Sequence, residues 1–383
     1  MIDENFLIHT LRDLVQINSV NPDLSSDGPG EEEIGSYIDG VLRSLNIRSE
    51  VVQLAPKRVN VIGILKGAGN GKSLMLNAHT DTVGIEGMEA PFSAAIKDGK
   101  LYGRGAYDMK ASIAAMLAAT KALRDNSIAL DGDLMVTFVA DEEYESIGTQ
   151  DLVKNYKTDA AIVMEPTDLD VCIGHRGFGI FEITTNGKVA HGGRHQEGID
   201  ANMKMGAVLT ELEKHSRKLP DEKSHPLFGQ ASMHVPVIRG GESLFIYSGK
   251  CSIQVERRTL PGETQQEILK DFQTIIDERA TEDKDFSAQV KPLIWRDPYE
   301  ISRDTPIVQT VMQCAADVLG NKPSYIGHTW WEDSAIIGKN GTDTVIFGPL
   351  GGGIHQKIEW VDLKSVVDLS KILVQTAILY CKR

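Results

Sequence analysis

The sequence predicts an α/β protein: a mixed sheet sandwiched by helices, interrupted by an inserted ferredoxin-like α+β domain. Three observations predict it. Apolar runs at 74–78, 134–140 and 160–164 are continuous rather than alternating, as in strands covered on both faces. They alternate with helical periodicity and run out at His79, at Asp141-Glu142-Glu143 and at Glu165. Between 178 and 292 the order of elements changes to βαββαβ.

Taken in order, 6–17 is an amphipathic helix, with Phe6, Leu7, Leu11, Leu14 and Val15 at helical spacing. Asn21-Pro22 opens a loop containing Gly28, Pro29 and Gly30, and a second helix follows over 31–45. Strands are expected at 48–54 and 59–65, then the buried strand 74–78. The alanine-rich stretch 109–123 is a helix, 134–140 a strand, 148–155 a short helix and 160–164 a fourth buried strand. The changed pattern comprises strand 178–185, helix 199–219, strands 231–238 and 251–257, helix 263–280 and strand 286–293. Helix 306–319, strand 343–348 and helix 363–380 then return to the first pattern. The expected domains are therefore 1–177 with 293–383, carrying the catalytic site, and an insertion at 178–292.

A length of 383 residues suits two domains, at roughly 100–200 residues each. The hydrophobic fraction of 41% is enough for full cores. A net charge of −14 argues against a phosphate-tracking face, so nucleic acid is not an expected partner. Cys172, Cys251, Cys314 and Cys381 form no CxxC pattern and read as reduced core thiols of a cytoplasmic protein. The first residues lack the basic and apolar regions of a signal peptide. No apolar run approaches the roughly 20 residues that span a bilayer, so no membrane partner is expected.

The chemistry concentrates at strand ends, where open α/β sheets hold ligands. His79 and Asp81, two apart, share a face on a strand; beyond its end, Asp81 could instead orient the imidazole. An isolated His-x-Asp is more often a capped strand end. Asp108 in GRGAYDMK reads equally as a helix N-cap or a metal ligand. Glu142-Glu143 ends a buried strand, where unpaired charge is costly. Glu165 precedes Pro166, and His355 follows the glycine loop GPLGGGIH. Each is weak alone. Together they supply ligands for two divalent metal ions with a shared carboxylate and a spare general base. Asp333 in WWEDSA is a pocket residue or a buried helix cap.

The motifs NAHTDTV, GRGAYDMK, ADEEYESIG, MEPT, GKVAHGG, ERRTLPGE and GIHQKIEWVDL cover essentially the whole chain. As a set they resemble the dinuclear zinc metallohydrolases that include acetylornithine deacetylase, succinyl-diaminopimelate desuccinylase, aminoacylase and glutamate carboxypeptidase. The resemblance implies a zinc-exopeptidase-like fold and a lid or dimerisation role for the insertion. It implies that His79 and Glu165 hold one zinc, Glu143 and His355 the other, and that Asp108 bridges them. Cobalt or manganese are alternative metals. Asp81 would brace His79, and Glu142 would be general base and acid. His191 would reach the partner subunit's site in a homodimer, and Arg258 would bind the substrate carboxylate. The implied activity is hydrolysis of a small N-acylated amino acid or related amine, with a carboxypeptidase or dipeptidase as the alternative. A non-catalytic homologue is the third reading; Glu142 beside a full ligand set argues against it. Many relatives carry Asn and then Pro where GGESLFIYSGKC has Phe245 and Ser248, so their substrate contacts do not transfer.

Overall fold

A computed structural model describes residues 1–382. The chain divides into two units. The first comprises Met1–Ile173, Ile301–Ile326 and the chain from Glu332 onward; the second comprises Gly174–Glu300 and Gly327–Trp331.

The sheet of the first unit has the spatial order Arg48–Ala55, Arg58–Leu65, Leu134–Val139, Leu74–His79, Ala160–Val163, Asp343–Ile346, Val171–His175. Leu74–His79 runs parallel to both Leu134–Val139 and Ala160–Val163, and Asp343–Ile346 is parallel to Ala160–Val163. The hairpin Arg48–Ala55/Arg58–Leu65 and the strand Val171–His175 attach antiparallel on either side. Leu74–His79, Leu134–Val139 and Ala160–Val163 are buried along their whole length, which accounts for their apolar runs, and Asp343–Ile346 is buried after its exposed first residue. One face of the sheet packs Met75, Val139, Ala161 and Ile346 against Leu152 of helix Ile147–Asn155 and Ile337 of helix Ser334–Lys339. Helix Ala111–Asp125 packs on Leu74–His79, and helices Glu4–Gln16 and Leu363–Tyr380 pack on it. Its many alanines allow that close approach: twelve of its fifteen residues are buried.

A second, four-stranded sheet decides the site. It orders Gly351–Gly352, Trp360–Asp362, Lys100–Tyr102 and Ala95–Lys97. The pairs Trp360↔Tyr102 and Val361↔Leu101 lock the approach to Asp108 beside the hairpin that carries His355. The sequence reading contains no such sheet: all four of its strands have two or three residues, too short for a periodic signal.

The expected helix at 109–123 begins two residues later, at Ala111. Asp108 and Met109 have extended or bridging backbones (φ −116°, ψ 93° and φ −135°, ψ 35°), and the peptide between them is cis. Lys110, not Asp108, precedes the helix, and the Asp108 carboxylate meets His79 and His355 instead.

The second unit follows the order strand Gly177–Asn186, helix Ala201–Glu222, strands Ser232–Gly240 and Lys250–Thr259, helix Gln265–Glu282, strand Ser287–Arg296. The sheet order Ser232–Gly240, Lys250–Thr259, Gly177–Asn186, Ser287–Arg296 is antiparallel throughout. Phe181, Ile183, Ile253 and Val255 face Met205, Val208, Ile268 and Phe272 of the two helices. Pro236 and Pro292 fall at register shifts in the two outer strands, where a missing N–H breaks no inner ladder. Asp200 caps the first helix through the Asn202 and Met203 N–H groups, and Thr264 with Glu267 forms a capping box on the second.

Candidate metal centre

All the strand-end candidates of the first unit converge. His79 ends its parallel strand, and Glu142, Glu143 and Glu165 follow the two neighbouring strands in the same sense. Asp108 faces two imidazoles through different oxygens. Its Oδ1 lies 3.0 Å from His79 Nε2 and its Oδ2 lies 3.2 Å from His355 Nε2. Glu165 Oε1 is 3.6 Å from His79 Nε2, and Glu143 Oε2 is 3.1 Å from His355 Nε2. Two groups of donors, His79/Asp108/Glu143 and His79/Glu142/Glu165, each lie within 4.8 Å of one another. The two groups share His79, and Asp108 joins that imidazole to His355 through its two oxygens.

The electrostatics fit a cation. Four carboxylates and only two imidazoles share a largely buried space. Burial, and then the charge of Glu165, push Glu142 well above the usual carboxylate range. Burial and Asp108 do the same to Glu165 and, less strongly, to Glu143. Hydrogen bonds from His355 and His79 hold Asp108 low against its desolvation. The excess of negative charge, with nitrogen and oxygen donors only, is the donor set of a borderline divalent metal.

His79 is oriented for this role. Its Nδ1 donates to the Asp81 main-chain carbonyl at 3.0 Å, while the Asp81 carboxylate is at 3.5 Å. The brace expected from the Asp81 side chain is thus made chiefly by its backbone. That contact puts the proton on Nδ1 and leaves Nε2 to bind.

Two groups that the sequence reading passed over hold the parts together. Glu359 is buried and accepts from the Gly105, Tyr107 and Asp108 N–H groups (2.9, 2.9 and 3.0 Å) and from Arg104 Nη1 (2.7 Å). Arg104 also donates to the carbonyls of Gly84 and Gln356 (3.0 and 3.2 Å). This one ion pair ties together the segments after Asp81, before Asp108 and after His355. Both residues lie inside the motifs GRGAYDMK and GIHQKIEWVDL; a charged residue embedded in each was the available signal. Asp333 is buried, accepts from Thr149 Oγ1 at 2.5 Å, and makes no side-chain capping bond to the helix it precedes. Burial pushes its carboxyl up to about 6.

His191 and Arg258 belong to the second unit. His191 is exposed on a loop that pairs with Ile246, and its Nδ1 accepts from the Gly193 N–H at 3.1 Å, leaving Nε2 as the outward donor. Arg258 pairs with Glu256 at 2.6 Å and lies over the Phe178 ring. Its neighbour Arg257 is buried against Glu263 at 2.6 Å, which makes it a structural group. Phe245 is exposed.

Fold and cluster together define a hydrolase scaffold with a metal-ligand set at the carboxyl end of a mixed sheet. The chain belongs to peptidase family M20/M25/M40, whose model matches residues 75–378. It is 30% identical over 339 residues to the acetylornithine deacetylase of Myxococcus xanthus, covering 85% of each chain. Its fold is similar to that of a tripeptidase from Staphylococcus aureus (TM-score 0.81, 21% identity, 100% of both chains). It is also similar to that of a Bacillus subtilis protein described as a dinuclear metal binding peptidase (TM-score 0.76, 18% identity, 98% of both chains). The family read from the motifs and the α/β fold class are those found. Among the described residues no helix is long and apolar enough to cross a membrane.

Proposed function

We propose that this chain is a metal-dependent hydrolase that cleaves the amide bond of small N-acylated amino acids or related amines. The observation that carries the reading is the shared Asp108, with one imidazole on each oxygen and Glu142 beside the cluster. His79 and Glu165 would hold one divalent ion, His355 and Glu143 the other, and Asp108 both; zinc is the expected metal. When bound, the ions supply Lewis acidity and a water of lowered pKa.

The chain's own residues do the rest. Glu142 takes a proton from the attacking water on a carboxylate oxygen and returns it to the leaving amine nitrogen. Burial and the charge of Glu165 raise its pKa, the direction that favours holding the proton between the two transfers. Arg258 binds the substrate carboxylate, for which a planar guanidinium has two parallel donors. Burial, and then the charge of Arg258, lower the pKa of Arg176. His191 donates from Nε2 to the oxyanion of a partner subunit's substrate, which makes the working form a homodimer.

The 30% identity to an acetylornithine deacetylase supports the deacylase reading, and the peptidase family supports a dipeptidase or carboxypeptidase with the same machinery. A panel of acetyl, succinyl and formyl amines beside dipeptides separates them. Glu142→Ala is expected to keep its metal and lose turnover by roughly 10²–10⁴-fold. Turnover retained in that variant removes Glu142 as the base.

A further inference from the structure

Asn21 has no part in the chemistry above, yet it is completely buried beside it. Its main-chain N–H donates to the Thr82 carbonyl at 2.9 Å, which docks it on the segment after His79 and Asp81. Its side-chain Nδ2 has two hydrogens and two partners: Asp81 Oδ2 at 2.8 Å and Asp141 Oδ1 at 2.9 Å. Its Oδ1 accepts from the Asp23 N–H at 2.9 Å, which fixes the direction of the amide.

The two carboxylates that it joins hold the turn bearing Glu142 and Glu143. Asp81 Oδ1 accepts from the Glu142 N–H at 3.1 Å and Asp81 Oδ2 from the Glu143 N–H at 3.3 Å. Asp141 Oδ2 accepts from the Glu145 and Ile147 N–H groups at 3.2 and 3.3 Å. Two buried carboxylates would repel one another. Asn21 supplies a donor to each, and Arg58 supplies charge, reaching Asp141 at 2.5 Å and Glu31 at 2.8 Å. Asp141 itself has a left-handed backbone (φ 70°), a conformation a non-glycine residue keeps only when its surroundings hold it.

We propose that Asn21 is a positioning residue that clamps the Glu142/Glu143 turn to the strand end of His79 and Asp81. Through Asp81 it fixes the backbone that aims the general base and one metal ligand. The proposal rests on the role given to Glu142 only for its catalytic consequence; the clamp itself is a property of the metal-free chain.

The test is Asn21→Ala, with Asn77→Ala as a control. Asn77 is a buried amide on the same sheet whose side chain donates to Thr137 Oγ1 at 3.0 Å and does not touch the turn. Amide hydrogen exchange is followed by mass spectrometry in the metal-free protein. In Asn21→Ala, peptides covering 142–147 are expected to exchange about tenfold faster than in the parent, with little change elsewhere. The loaded variant keeps its metal content, loses kcat by about 10–100-fold and keeps KM within about twofold. If Asn21→Ala does not fold, Asn21→Ser, which leaves one hydroxyl donor for two carboxylates, is read the same way. Unchanged exchange at 142–147, or a uniform rise like that of Asn77→Ala, overturns the clamp. Faster exchange at 142–147 together with a fully active Glu142→Ala supports the clamp and overturns the assignment of the base.

Discussion

His79 and His355 do the same work in the cluster, and the fold treats them in opposite ways. The His79 side chain is 1% exposed, at the end of a central parallel strand, with Nδ1 held by a backbone carbonyl. The His355 side chain is 48% exposed, on a loop with a left-handed backbone (φ 57°), and its ring nitrogen meets Asp108 and Glu143. One half of the site is thus part of the core and the other is delivered to it. The buried half depends on the sheet; the exposed half depends on the small second sheet and on the Arg104–Glu359 pair. Stability and metal content should therefore respond differently to the same substitution in the two halves.

The largest effect is expected for His79→Ala. In the metal-free protein it leaves Glu165 without its imidazole and Asp108 with His355 alone, at roughly 3–5 kcal/mol. Denaturant unfolding measures this, and metal analysis should find both ions lost, because Asp108 loses its fixed partner. A variant as stable as the parent would mean that the buried half is not part of the core.

Glu359→Gln comes next. It leaves Arg104 buried without a countercharge while preserving shape and one acceptor, for roughly 1–3 kcal/mol. Because the pair joins the Asp108 and His355 segments, weaker binding of the ion held by His355 is expected with it. Loss of stability with both metal affinities unchanged would reduce the pair to a structural role. His355→Ala should change metal-free stability by less than His79→Ala does, since its imidazole is half exposed and water can reach the carboxylates it leaves. It should still lower metal content from two ions to one. Loss of both ions would show that the halves do not bind separately.

Legibility from sequence followed the same division. The buried half was readable because its strands are long, apolar and bounded by charge, so 74–78 and 134–140 announced both the sheet and its ligands. Asp108 was ambiguous because an aspartate before a helix has two good physical uses. Backbone dihedrals that take it out of the helix resolve this, and no periodicity encodes them. In the exposed half, His355 was a lone loop histidine after GPLGGGIH, weak until joined with the other candidates and the motif resemblance. The scaffold of that half is built from two- and three-residue strands and from Arg104 and Glu359, whose pairing spans 255 residues of sequence. Asn21 escaped for a similar reason: an Asn-Pro pair signals a turn, and nothing local says that the amide will lie between two distant carboxylates.

The smallest effect is one of pH, read at the half-exposed His355. Hydrogen bonds to Asp108, and then to Glu143, push His355 up to about 10. A folded-state pKa raised above the ordinary 6.5 means that the folded metal-free protein holds this proton more tightly than the unfolded chain. The stabilisation is fully present below that ordinary value and is lost as pH rises through about 10; solvent screening at this half-exposed group keeps it small. Metal binding needs the neutral imidazole, so the ion must displace the proton. The affinity of the His355 half should then rise by up to about tenfold per pH unit across this window, read by chelator competition. His355→Ala should lessen the overall slope, leaving the part due to His79, which its carboxylate partners also raise. A slope unchanged by the substitution would assign the displaced proton to the buried carboxylates instead, and the contrast between the halves would then lie in exposure alone.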